Sequence, residues 1–179
     1  MDFGAAYLED LRKVARYYKG LADDAMAQVD DAHFHTALGD EENSIALVVK
    51  HMAGNLRSRW TDFLTSDGEK PDRDRDAEFE VLPGDGRAEL LEAWERGWTT
   101  FLDTLASLAP DDLGRTVAIR GEPQTVLRAV DRGVAHACYH VGQIVLLAKH
   151  FAGTGWRSLS IPRGQSQQFN ARMTEQQRR

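Results

Sequence analysis

Val134-Ala-His-Ala-Cys-Tyr-His-Val-Gly-Gln-Ile144 places two histidines four residues apart inside an apolar run. Four residues is just over one helical turn. His136 and His140 therefore share a face, with Cβ atoms about 6 Å apart, close enough for both rings to reach one ion. The same face passes through Gly133 and Ile144, which turns it inward. The helical pattern extends outward from Glu122-Pro123 to about Phe151, because proline is tolerated in a first turn and Gly153 and Gly155 stop the helix.

Three more segments share this periodicity. The first runs from about Asp2 to Val29, with Phe3, Ala6, Leu11, Val14, Tyr18 and Leu21 at three- and four-residue steps. His33 to Asp40 reads as a connector broken by Gly39. The second segment starts at a cap on Asn43 or Ser44 and continues to about Thr65, with an apolar stripe of Ile45, Val48, Met52, Leu56, Trp60 and Phe63. The third spans Arg87 to about Leu108, and its Trp94 and Trp98 read as packing. Val117-Ala118-Ile119 suggests one brief extended piece, and Ser166 to Met173 a short terminal helix.

Four amphipathic segments without a set of strands predict an all-α four-helix bundle. One domain covers residues 1–179, with a long loop between the second and third helices and a C-terminal extension, about 156–179, packed on it. The link from Ser66 to Gly86 is longer than an antiparallel turn needs, so it crosses the bundle end or carries function. Within it, Arg73-Asp74-Arg75-Asp76 reads as a solvated charged loop or as a structural ion pair near the site.

Composition bounds the partners. The 179 residues carry a net charge of −6 and one cysteine, Cys138, so no intrachain disulfide forms. A negative field disfavours nucleic acid. The strongest local basic group is Gln176 to Arg179, while Arg57 and Arg59 read as a solvated helix face or a partner for Asp62. Met1-Asp2-Phe3 opens no leader pattern and no stretch is apolar enough to span a bilayer, so the expectation is a cytoplasmic protein without membrane contact.

Of the six histidines, His33 and His35 fall in the polar connector and His150 at a helix end, where solvent or the helix dipole accounts for them. His51 lies one turn after Val48 and points inward. A single inward histidine is more often a hydrogen-bonded core residue than a ligand, and His-x-x-x-His recurs on helices by chance. Three inward histidines on two helices are harder to satisfy, since each unpartnered imidazole costs roughly 1–3 kcal/mol and one shared cation serves all three. His51, His136 and His140 are thus the expected ligands of one divalent transition metal. Zinc or nickel suits them best, iron or copper next, and calcium or magnesium not at all.

This order of parts, an isolated histidine in the second helix and a His-x-x-x-His in the fourth, resembles the DinB-like superfamily, including the YfiT-type metal-dependent hydrolases. Ala46-Leu-Val-Val-Lys-His-Met-Ala-Gly-Asn-Leu56, Arg73-Asp-Arg-Asp-Ala-Glu-Phe79, Trp156-Arg-Ser-Leu-Ser-Ile-Pro-Arg-Gly164 and Phe169-Asn170 resemble one uncharacterised bacterial branch of it. The resemblance implies a four-helix bundle, often a homodimer, with a metal on this triad. It also implies relatives that are thiol S-transferases, or an isomerase dependent on a low-molecular-weight thiol.

Three functions follow as expectations. In a metal-dependent thiol S-transferase, a coordinated thiol is held as thiolate and attacks an electrophilic small molecule. Asn55 and Gln143 are then candidates for orienting substrate, or else satisfy nearby backbone and water. In a metal-dependent hydrolase the ion acidifies water, with Asp131 a candidate base, and Glu78 another if the long loop folds over the site. In a non-enzymatic metal-binding or stress-response module, no cavity opens beside the ion. Cys138, rotated about 200° from His136, reads as a packed thiol rather than a nucleophile. Tyr139 reads as core or dimer contact.

Overall fold

The computed structural model describes residues 2–177. Four long helices carry the fold: α1 (Phe3–Met26), α3 (Ile45–Trp60), α4 (Arg87–Ser107) and α5 (Val126–Ala152). α3 packs along α4 and α1 along α5, while α3–α5 and α1–α4 contacts close the ring. The all-α expectation holds. Caps set the starts: Asp2 accepts from the Gly4 and Ala5 N–H groups, Ser44 from Leu47 and Thr125 from Arg128.

The centre is aromatic. Trp60, Trp94, Trp98 and Phe101 are almost wholly buried, with Trp60 and Phe101 ring centroids 4.5 Å apart. The Trp94 indole N–H donates to Asp23 Oδ1 at 2.9 Å, so the tryptophans are packing elements as expected. No helix among the described residues is long and apolar enough to cross a membrane.

Four boundaries differ from the sequence reading. α2 (Asp31–His35) replaces part of the connector, because Asp30 caps it through His33 N–H and Phe34 plugs into the core. α3 stops at Trp60, not Thr65: Thr61 turns extended and Asp62 adopts φ +49. Phe63 still reaches the core from that turn and packs on Trp60, which is why the apolar period ran past the true helix end.

The third and fourth differences share a cause. Glu122-Pro123 does not open α5; it lies in β2 (Glu122–Thr125), antiparallel to β1 (Thr116–Ile119). The hairpin turns on Arg120-Gly121, both at positive φ, the two-residue geometry that matches strand twist. The Asp67 carboxylate accepts from the Arg120 and Gly121 N–H groups at 2.8 and 2.7 Å, pinning the hairpin to the long loop.

Beyond α5, Trp156 and Leu159 pack against the core, whereas residues 160–176, including most of α6 (Ser166–Gln177), are exposed. Of the basic C-terminal group, Arg178 and Arg179 lie outside the described residues.

Candidate metal centre

α3 and α5 face one another with two stripes of polar residues at four-residue spacing. His51, Asn55 and Arg59 line α3; Arg132, His136 and His140 line α5; all six border one cavity. The three histidines meet at one end of it. His136 Nε2 lies 3.3 Å from His51 Nε2 and 3.1 Å from His140 Nε2, and one ligand atom from each ring falls within 4.8 Å of the others. Metal–nitrogen bonds of about 2.0–2.1 Å at octahedral to tetrahedral angles set ligand nitrogens about 2.8–3.4 Å apart, so both close spacings suit a shared ion. These three histidines could hold a metal ion.

Their far-side partners fix which nitrogen faces inward. The His51 Nδ1–H donates to Glu78 Oε2 at 2.8 Å, and the His140 Nδ1–H donates to Gln143 Oε1 at 2.8 Å. Rings held this way by Nδ1 turn their Nε2 atoms toward His136. A proton on His136 Nε2 can serve only one of them. A lone pair is left over in a buried place, and a cation satisfies all three.

Protons do not fill that role easily. Burial, followed by the neighbouring His140 and His51, pushes His136 down to about 3. Burial also lowers His140 against the opposing Gln143 bond.

The support behind His51 comes from the long loop. A single 3-10 turn, Ala77–Phe79, drops Glu78 onto α3, where its side chain is 8% exposed. Arg73, 2% exposed, grips both carboxylate oxygens: Nε to Oε1 at 2.8 Å and Nη2 to Oε2 at 2.9 Å. Burial would raise the Glu78 carboxyl, but the Arg73 and His51 bonds outweigh it and hold it below the ordinary range. Gly54 makes the approach feasible, since a Cβ there would stand 2.2 Å from Glu78 Oε1. Phe79 stacks on the His51 ring at 4.8 Å.

Within the charged run, Arg73 forms an ion pair beside the site while Asp74, Arg75 and Asp76 stay exposed, and Glu78 does fold over the site. Glu78 is committed to His51 and Arg73, which makes it a support for a ligand and not a free base.

The remaining candidates separate cleanly. Asn55 borders the cavity. Gln143 spends its amide on His140 and on the Tyr139 hydroxyl. Asp131 lies away from the triad, accepting from Tyr7 on α1. Cys138 is half-buried with its thiol pushed up by burial, consistent with a packed group. Tyr139 is exposed at the cavity edge and so is not core.

His35 is half-buried, reaching the Asp31 and Asp85 carbonyls, whereas the His33 side chain is 45% exposed beside Asp30 and His150 is exposed.

The cavity measures about 710 Å³, within the range of small-molecule sites. The sequence reading missed its far end. Arg59 does not pair with Asp62; it is half-buried and faces the cavity, while Arg57 is the solvated one, paired with Asp72. Its eight-residue spacing from His51 was the available signal.

A family model described as a protein of unknown function (DUF1572) matches residues 2–165. No curated protein matches the chain.

Proposed function

This chain belongs to the DUF1572 family of unknown function, and we propose that it is a divalent-metal-dependent enzyme, a thiol S-transferase of DinB-like type. One observation carries the reading: three imidazole Nε2 atoms converge at the end of a cavity large enough for a small molecule. A structural site would be closed by a fourth protein ligand, whereas a catalytic one keeps a position open. When bound, zinc or nickel would supply a Lewis acid that keeps a thiol in its thiolate form at neutral pH.

The chain's own residues supply orientation. Glu78 and Gln143 hold the two outer rings by Nδ1, which sets their tautomers and directions. Phe79 covers one face of His51 and restricts water there. Asn55, one turn beyond His51 on the cavity wall, is placed to orient a substrate. Transfer of a thiol needs no dedicated base once the thiolate forms, and no uncommitted carboxylate stands on the triad among the described residues. The cavity does carry one acidic wall residue, Glu122, and this favours hydrolysis as the second reading. A homodimer accompanies the DinB-like resemblance, and with a cytoplasmic setting, expected from the sequence pattern, it belongs to the same proposal.

The test is elemental analysis of protein purified without an immobilised-metal column, followed by assay with a low-molecular-weight thiol and an alkylating electrophile. One metal per chain, lost in His136→Ala, and thiol consumption abolished by chelation are expected. Stoichiometric metal retained in His51→Ala and His140→Ala would sink the triad. Thiol inertness of fully loaded protein would move the activity to hydrolysis.

A further inference from the structure

The cavity concentrates positive charge in a chain whose net charge is −6. Arg59, Arg73, Arg75, Arg120 and Arg132 border it, against the single carboxylate of Glu122. They are not equally engaged. Arg73 is neutralised by Glu78, and Arg120 is paired with Glu69 at 3.2 Å. Among the described residues Arg132 bonds the neutral Gln124 amide alone, at 3.0 Å, and Arg75 rests over the Phe79 ring at 5.3 Å.

Arg59 has no hydrogen-bond or ion-pair partner among the described residues, and its Nε is sealed from solvent without one. A guanidinium in that position is costly. Burial, then the charges of Arg132 and Arg73, lower Arg59 to about 10. An arginine left unpaired beside other arginines, on the wall of a cavity, is where a carboxylate or phosphate would be gripped by a planar fork.

We infer that this cavity binds an organic anion, its carboxylate or phosphate on Arg59 and Arg132 and its remainder reaching toward the histidine end. Both arginines stand on the same stripes as the histidines. Arg132 precedes His136 by four residues and Arg59 follows His51 by eight, which places the anchoring end about 6–12 Å along the helices from the triad. Phe79, Ile119 and Tyr139 give the cavity a partly apolar wall. The hairpin matters here, because β1 and its turn bring Ile119 and Arg120 to the cavity. This names the substrate class for the proposed enzyme and rests on that reading, although the anion end can be tested without the metal.

Calorimetric titration of metal-free and zinc-loaded protein with phenylphosphate, benzoate and uncharged benzyl alcohol tests it. At least one anion should bind both forms at least tenfold more tightly than the alcohol, and the tighter anion identifies the headgroup. Arg59→Gln should weaken that binding about tenfold or more in both forms, with zinc content unchanged. Arg132→Gln, on the exposed side, should act in the same direction and serves if Arg59→Gln folds poorly.

Equal anion binding by the arginine variants and the native chain would overturn the inference. So would binding found only with zinc and lost in His136→Ala, which would seat the anion on the metal. Arg59-dependent binding in a protein that takes up no metal would sustain the anion site while removing the proposed enzyme.

Discussion

Arg73 and Arg59 border the same cavity and could hardly be placed more differently. Arg73 is 2% exposed and spends its fork on two carboxylates, with Glu78 passing that order on to His51. Arg59 is half-buried, with a sealed Nε and no partner among the described residues. Both carry the same charge; the inventory of partners differs. The Glu78 corner is a finished piece of architecture, whereas the Arg59 corner is completed by something the chain does not supply. A buried cation already neutralised supports the fold, while one left over marks where a ligand binds.

The largest effects should come from breaking the finished corner. Glu78→Ala leaves Arg73 with Glu69 alone and strips His51 Nδ1 of its acceptor. Removing one partner of a buried pair costs about 3–5 kcal/mol, read by chemical denaturation of the metal-free protein. Metal affinity should fall about 10–100-fold as well, since the ring loses the group that orients it. A stability change under about 1 kcal/mol would show that the corner is less tightly coupled than its distances imply.

Gly54→Ala asks the same question from the opposite side. A glycine-to-alanine change inside a helix ordinarily gains about 1 kcal/mol. Here the new methyl collides with Glu78, so a net loss of about 1–3 kcal/mol is expected. In the Glu78→Ala background the collision disappears and the same change should stabilise. A sign that fails to reverse would show that Gly54 answers to something other than Glu78.

These two positions also explain what a sequence could and could not reveal. The stripes on α3 and α5 are local, so four-residue spacing was enough to bring His136 and His140 together and to turn His51 toward them. The Glu78 contact is not local: it depends on a loop turn 24 residues beyond Gly54, whose missing side chain means nothing until the loop is seen to cross it. The hairpin was hidden because Arg120 takes a positive φ more typical of asparagine or glycine. Pro123 meanwhile imitated a helix start. Arg59 lay on the readable stripe, yet the adjacent Asp62 offered an easy partner; only the backbone reversal after Trp60, with no ion pair formed, excludes it.

The hairpin wall should respond more weakly. Asp67 accepts three backbone N–H groups, from Glu69, Gly121 and Arg120, and these bonds, in that order, hold its carboxyl below the ordinary value. Because the folded-state value is depressed, the stabilisation is present above the unfolded carboxylate range near 4 and is lost as pH falls through the folded value. Asp67→Ala should cost about 1 kcal/mol at pH 7, comparable to losing a helix cap. The variant and native curves should converge in acid. A gap that persists undiminished there would mean that the loss comes from packing and not from the charge.

The smallest effect on stability belongs to Arg59, and that is its diagnostic. Arg59→Gln removes a half-buried charge that has no direct partner among the described residues and relieves its repulsion with Arg132 and Arg73. Without added ligand, stability should stay within about 1 kcal/mol of the native chain or rise slightly, whereas Arg73→Gln should cost several. Adding a saturating anion should reverse the order, because a ligand that binds only the folded state stabilises by mass action. With phenylphosphate present, the native chain should gain in melting temperature and Arg59→Gln should gain little. If Arg59→Gln were as damaging as Arg73→Gln in ligand-free protein, the two corners would be alike, and the contrast between a supporting cation and a waiting one would be lost.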